Sequence, residues 1–160
     1  MEDYAVLILN RSSGIIRGLL LAAMFFLCAA PAAAELVVDG DVVTDTDTGL
    51  VWKKADEVYL FTWKEALKEC ADLSLAGKSD WRLPNIRELR SIINAENYNP
   101  AHNPVFTCVY GCAAKFWSST TFVDAISLAW YVDFYDGGVS FDAKTVDGGY
   151  RARCVRGGPE

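Results

Sequence analysis

The positions of the cysteines constrain the fold of this 160-residue chain more than any other sequence feature. Cys28 lies in an apolar N-terminal segment, and the other four cysteines follow further along the chain, at Cys70, Cys108, Cys112 and Cys154. Disulfides persist in oxidising compartments and are rare in the cytosol. Whether these four cysteines form bridges therefore depends on whether the chain is exported.

The N-terminal segment predicts a signal peptide over residues 1–34. Arg11 and Arg17 precede an uninterrupted apolar run at 18–30. As a helix this run would be about 20 Å long, which is too short to cross a hydrocarbon core of ~30 Å. Small residues at 31–34 form an A-x-A-like cleavage site, so we place cleavage after Ala34. A retained membrane anchor and a lipid anchor on Cys28 are the alternatives.

Residues 35–160 then form a single domain, in the periplasm or outside the cell. Cleavage removes two basic and two acidic residues, so the net charge stays at −6. An acidic domain is a poor partner for nucleic acid, which requires clustered lysine and arginine. We also predict no stable membrane insertion after the signal peptide is removed, and the sequence leaves oligomerisation open.

Four cysteines allow three disulfide pairings. We favour Cys108–Cys112, because this pair encloses Gly111, which can adopt the backbone angles that a tight loop needs. The remaining pair, Cys70–Cys154, would then join the first predicted helix to the last predicted strand.

Hydrophobic patterning and turn signals predict an α+β fold, with two helices packed on antiparallel strands. Thr62 and Glu65 form a capping box for a helix over 62–75 that Gly77 ends, and Asn85 caps the second helix with Glu88. The predicted strands cover 36–38, 42–43, 50–52, 116–120, 129–135, 139–141 and 150–155.

Four motifs resemble those of a known family, and they occur in the same order along the chain. They are Thr-Gly-Leu-Val-Trp at 48–52, Asp-Trp-Arg-Leu-Pro-Asn at 80–85 with Glu88-Leu89, Phe-Trp-Ser-Ser-Thr at 116–120, and Tyr-Arg-Ala-Arg-Cys-Val-Arg at 150–156. This series is similar to the Lcl C-terminal domain family. The resemblance implies a C-type-lectin-like fold akin to that of formylglycine-generating enzymes, with a helix-to-last-strand disulfide that agrees with Cys70–Cys154.

The resemblance also points to binding, because a named member of the family is the tail of an adhesin that binds sulfated glycans. Alternation along the predicted strand at 129–135 buries Trp130, Val132 and Phe134 on one face and directs the intervening residues to the other. Adding a neighbouring aromatic residue and two arginines of the terminal motif gives the predicted binding residues: Trp117, Tyr131, Asp133, Tyr135, Arg151 and Arg153.

The arginines in the motifs also have a structural interpretation. A buried guanidinium that forks to a carboxylate can lock a loop to a strand. For Arg82 and Arg151, the partners that the sequence offers are Asp80 and Asp133. If the arginines instead converge at the surface, they would supply the basic patch that a sulfated glycan needs.

The sequence predicts no enzyme, no cofactor and no metal site. A zinc site is disfavoured because the cysteines are widely spaced and the only histidine, His102, has no partner at ligand spacing. The leading hypothesis is an exported, non-catalytic module that binds a glycan or a protein surface. The alternatives are a thiol or copper oxidase of the formylglycine-generating type, using Cys108 and Cys112, and an accessory subunit of an envelope complex.

Overall fold

The computed structural model describes residues 35–109, 111–146 and 148–158, and the predicted signal peptide at 1–34 lies outside them. Helices and strands alternate irregularly along the described chain. In chain order the elements are β1 (Leu36–Asp39), β2 (Val42–Asp45), β3 (Leu50–Lys53), α1 (Trp63–Asp72), α2 (Ile86–Ser91), β4 (Lys115–Thr121), β5 (Leu128–Asp133), β6 (Gly138–Ala143) and β7 (Val155–Gly157).

Two antiparallel sheets form the β part of the fold. One sheet has the strand order β1-β2-β3-β7, so the last strand pairs with the third, with Trp52 opposite Val155. The other sheet is the meander β4-β5-β6. With the two helices, the architecture is α+β as predicted.

Helix α1 begins where the sequence predicts and ends earlier. The Thr62 side chain accepts from the backbone N–H of Glu65, and the Glu65 carboxylate accepts from the N–H of Thr62, so the capping box is present. The helix ends at Asp72 because Leu73 is extended, with ψ of 128°. Gly77 therefore lies in a turn after the helix.

Helix α2 is fixed by a second capping box and by an arginine. The Asn85 side chain accepts from the backbone N–H groups of Arg87 and Glu88, and the Glu88 carboxylate accepts from the N–H of Asn85. The two terminal guanidinium nitrogens of Arg82 also donate to Glu88, at 2.7 and 2.8 Å. Arg82 therefore pairs with Glu88, and its predicted partner Asp80 pairs with Arg156 instead.

The meander separates two hydrophobic clusters. Adjacent residues of β4 point to opposite faces, so Phe116 lies in the cluster with Leu89 of α2 and Trp117 lies in the cluster with Cys70 of α1. Val132 and Phe134 are buried as predicted. Trp130 is only half-buried and packs against the rings of two partly exposed phenylalanines, Phe122 and Phe141.

The last strand is shorter than predicted. Ladder pairing begins only at Val155, and the preceding residues make isolated bridges with separate parts of the fold. Tyr150 pairs with Phe61, and Arg151 pairs with Phe116. This segment therefore ties β4 to the loop before α1 instead of extending one sheet.

Both disulfides pair as the sequence favoured. Cys70 of α1 is bonded to Cys154, directly before β7, and this 84-residue connection is called the long bridge below. Cys108 is bonded to Cys112, four residues away, and is called the short bridge. Both cysteines of the long bridge are fully buried, whereas those of the short bridge are half-buried. Two disulfides are compatible with an exported protein.

Within the part of the chain that the structure describes, neither helix is long and apolar enough to cross a membrane.

Candidate functional site

A pair of exposed tyrosines lies beside the turn that joins β5 to β6. Tyr98 is 67% exposed and Tyr135 is 42% exposed, and their ring centroids are 4.9 Å apart with an edge-to-face angle of 70°. Such a geometry is favourable for two aromatic rings. The pair therefore presents an ordered aromatic surface to solvent.

The backbone holds Tyr135 and the loop of Tyr98 together. Tyr135 follows β5, and the carboxylate of Asp133 accepts from its N–H at 2.9 Å. The N–H of Asn99 donates to the Tyr135 carbonyl at 2.8 Å, and the N–H of Ala101 donates to that of Phe134 at 2.8 Å. Two loops distant in sequence thus meet through main-chain bonds, which do not depend on the identity of the tyrosine side chains.

The tyrosine pair lies in a polar and acidic setting. The hydrogen bond to the Tyr135 side chain raises the pKa of the Tyr98 phenol, and burial and the charge of Asp136 raise it further. The Asp136 carboxylate also accepts from the N–H of Gly138 at 2.8 Å. The Tyr98 phenol therefore stays neutral at physiological pH, and the surface offers rings, hydroxyls and carboxylates.

Trp117 and Tyr131 lie inside the fold instead of forming a ligand surface. Trp117 is completely buried, and its indole N–H donates to the Phe61 carbonyl at 3.0 Å. Its ring packs against Tyr150 at 4.3 Å and Tyr131 at 6.3 Å. Tyr131 is half-buried in this cluster. Of the predicted aromatic candidates, only Tyr135 is exposed.

Arg151 and Arg153 are also inside. Arg151 is 8% exposed and forms an ion pair with Asp56, which is itself buried, instead of with the predicted Asp133. The partner could not be foreseen because 95 residues separate Arg151 from Asp56. The other Asp56 carboxylate oxygen accepts from the N–H of Val109 at 2.8 Å, which links the pair to the short-bridge loop.

Arg153 is buried to 2% exposure and joins three segments. Its guanidinium donates to the carbonyl oxygens of Lys53 and Lys54 at the end of β3 and to that of Thr107 at 3.3 Å. Its charged plane also lies 4.9 Å from the ring centroid of Phe106. Desolvation lowers the pKa of Arg153 to about 10, so the side chain remains charged at physiological pH.

These placements take Arg151 and Arg153 out of the basic patch suggested by the motifs. Arg151 and Arg153 are buried, and Arg82 and Arg156 are each engaged with a carboxylate. The buried guanidinium groups of Arg151 and Arg153 cannot contact a sulfated ligand at the surface. The arginines of the terminal motif are therefore determinants of the fold.

A second cluster forms around the short bridge. The Nε2 atom of His102 lies 3.7 Å from the Sγ atom of Cys108, and the Arg153 guanidinium lies 3.6 Å from the same sulfur. The expectation that His102 has no partner at ligand spacing considered the sequence alone; in the fold, the sulfur of Cys108, six residues further along the chain, contacts the imidazole. An isolated antiparallel β-bridge between Ile93 and His102 holds the backbone of the histidine in place.

Sequence reasoning missed Tyr98 because its loop has no hydrophobic periodicity and is rich in asparagine and proline. An aromatic residue in such a loop is the only available signal, since no spacing connects Tyr98 to Tyr135. The pairing depends on the loop geometry alone.

A sequence model of the Lcl C-terminal domain matches residues 41–156. This match covers most of the chain. The protein is a disulfide-bonded α+β domain protein. It belongs to the Lcl C-terminal domain family. No curated protein matches the chain.

Proposed function

We propose that this protein is an exported, non-catalytic binding module that recognises a neutral glycan through Tyr98 and Tyr135. The observation that carries the proposal is the exposed, ordered pair of rings, 4.9 Å apart. Tyrosine combines a large apolar surface with a hydroxyl, and its side chain loses little conformational entropy on binding. Those properties suit a ligand with apolar ring faces and peripheral hydroxyls.

The polar setting favours a neutral sugar over the sulfated glycan suggested by the resemblance. Asp133 ends β5 and Asp136 lies in the turn that follows, and both accept backbone hydrogen bonds beside Tyr135. An anionic ligand would face these carboxylates, whereas sugar hydroxyls can donate to their remaining lone pairs. A protein surface is the competing ligand, and it becomes one outcome of the test.

The fold and location belong to the same proposal. The C-type-lectin-like fold is supported by the two sheets, the two helices and the long bridge from α1 to the segment before β7. Export is supported by the two disulfides together with the sequence pattern of residues 1–34.

The test is binding to a panel of neutral and sulfated oligosaccharides by wild type and three tyrosine variants. We expect binding to a neutral member, with Tyr98→Ala and Tyr135→Ala each about tenfold weaker, corresponding to about 1.4 kcal/mol. Tyr59→Ala is the matched control, since Tyr59 is 73% exposed on another loop. Binding only to sulfated members, equal loss in all three variants, or capture of a protein ligand without any sugar would overturn the proposal.

A further inference from the structure

The short bridge belongs to a cluster of three metal-ligating side chains that the tyrosine site does not use. The ligand atoms of His102, Cys108 and Cys112 all lie within 4.8 Å of one another. His102 is buried and the two cysteines are half-buried. One imidazole and two cysteine thiolates would form a donor set typical of zinc.

His102 is held in the tautomer that a metal ligand needs. Its Nδ1 atom lies 2.7 Å from the carbonyl oxygen of Asn103. Because a carbonyl oxygen can only accept, Nδ1 carries the hydrogen and Nε2 presents its lone pair toward Cys108. Donation from the second ring nitrogen to a backbone carbonyl is the usual orientation of metal-ligating histidines.

Aromatic packing fixes the plane of the imidazole. The ring lies edge-to-face against Phe106 and Phe134, with centroids at 6.5 and 6.1 Å. Both phenylalanines are buried, at 3% and 1% exposure. The Nε2 atom is therefore positioned before any ligand binds.

The spacing of His102 and Cys108 fits two ligands of a tetrahedral zinc ion. Bonds of about 2.3 Å to sulfur and about 2.05 Å to nitrogen place the two ligand atoms about 3.6 Å apart at a tetrahedral angle. The observed separation of His102 Nε2 and Cys108 Sγ is 3.7 Å. In the disulfide form the cysteines cannot serve as thiolate ligands, so binding requires that the bridge be opened.

We propose that reduction of the short bridge converts this cluster into a binding site for a thiophilic divalent cation of the zinc class. A dithiol reductant supplies two electrons and two protons, opening Cys108–Cys112 to two thiols while it becomes a disulfide itself. The cation then displaces both thiol protons and binds the two thiolates and His102 Nε2. A fourth coordination position stays open to water.

Arg153 supports the thiolate form of Cys108. Its guanidinium lies 3.6 Å from the Cys108 sulfur and can donate a hydrogen bond to a thiolate ligand. Two thiolates neutralise the charge of a divalent cation, so the bound complex carries no net charge against the arginine. The role fits a residue that orients a ligand without coordinating the metal.

The test exploits the different burial of the two disulfides. The purified oxidised chain is treated with dithiothreitol so that the half-buried short bridge opens and the fully buried long bridge stays closed, as checked by alkylation and mass measurement. After anaerobic removal of the reductant, Zn²⁺ binding is measured by competition with a chromophoric chelator. Co²⁺ substitution then reports thiolate ligation and tetrahedral geometry from its visible spectrum.

We expect one Zn²⁺ per reduced chain and none in the oxidised chain, which serves as a control of identical sequence. His102→Gln should weaken binding by more than about tenfold while both thiols remain titratable. Cys112→Ser provides a second variant if His102→Gln loses its near-ultraviolet circular dichroism. The proposal is wrong if the reduced chain takes up no zinc, if both forms bind equally, if the histidine variant binds like wild type, or if the short bridge cannot be opened selectively.

Discussion

Replacement of Arg153 by methionine tests whether the arginines of the terminal motif are structural. Methionine fills a similar length without the charge, so the variant removes the bonds from the guanidinium to the carbonyls of Lys53, Lys54 and Thr107. Asp56 keeps its ion pair with Arg151. The substitution therefore leaves the buried Asp56 carboxylate paired with a cation.

The size of the effect follows from the partners that remain. The Lys54 carbonyl still accepts from the N–H of Thr107 at 3.0 Å, and the Thr107 carbonyl still accepts from the N–H of Asp56 at 3.2 Å. Losing one of two bonds places each of these two carbonyls near the low end of the penalty for a lost buried partner, about 1 kcal/mol, and we take the same minimum for the Lys53 carbonyl. Three carbonyls give a loss of about 3 kcal/mol in the free energy of unfolding, or roughly 10 °C in Tm for a domain of this size.

The assay is equilibrium unfolding by urea of the oxidised wild type and R153M, followed by tryptophan fluorescence. Arg87→Met is the matched control, because Arg87 is exposed on α2, and its effect should stay within about 0.5 kcal/mol. A loss below about 1 kcal/mol in R153M would refute the reasoning. It would mean that desolvation of the guanidinium cancels the bonds that it makes.

Two further predictions concern stability. Replacing both cysteines of the 84-residue long bridge by alanine should cost about 4–5 kcal/mol on the chain-entropy model, against about 2 kcal/mol for the four-residue short bridge, as measured by urea unfolding. Tyr150→Phe should cost about 1 kcal/mol at pH 7, since the Tyr150 hydroxyl donates to Asp142 at 2.6 Å. The same bond lowers the pKa of Asp142, so its contribution is present above the unfolded pKa of about 4 and is lost as pH falls through the folded value. The wild type and the variant should therefore converge in acid, and a constant difference from pH 7 to pH 2 would contradict this explanation.

Local features of the fold were readable from the sequence because their determinants lie within a few residues. The capping residues Thr62 and Asn85 each act on a glutamate three positions later, and both boxes form as predicted. The pairing of the cysteines was also accessible, since one pair is adjacent enough to form a small loop and fixes the other. Strand alternation correctly buried Val132 and Phe134.

Features that depend on distant segments were not readable. Arg151 pairs with Asp56 across 95 residues, and a sequence pattern that offers Asp133 as the nearer strand partner gives no means of choosing. The sulfur contact of His102 depends on the path of the intervening loop. Tyr98 reaches Tyr135 only because the backbone of Asn99 bonds to the strand end. Long-range register and loop geometry determine which residues come together at the candidate sites, and neither leaves a periodic signal in the sequence.

The most direct test of the central claim is a titration of the ¹⁵N-labelled protein with the neutral oligosaccharide that binds best in the panel, followed by NMR. The account predicts that the largest shift changes fall on Tyr98, Asn99, Tyr135 and Asp136, while the guanidinium signals of Arg153 stay unchanged. Largest changes at the half-buried aromatic cluster of Trp130, or at Arg153, would contradict the assignment of binding to the tyrosine pair.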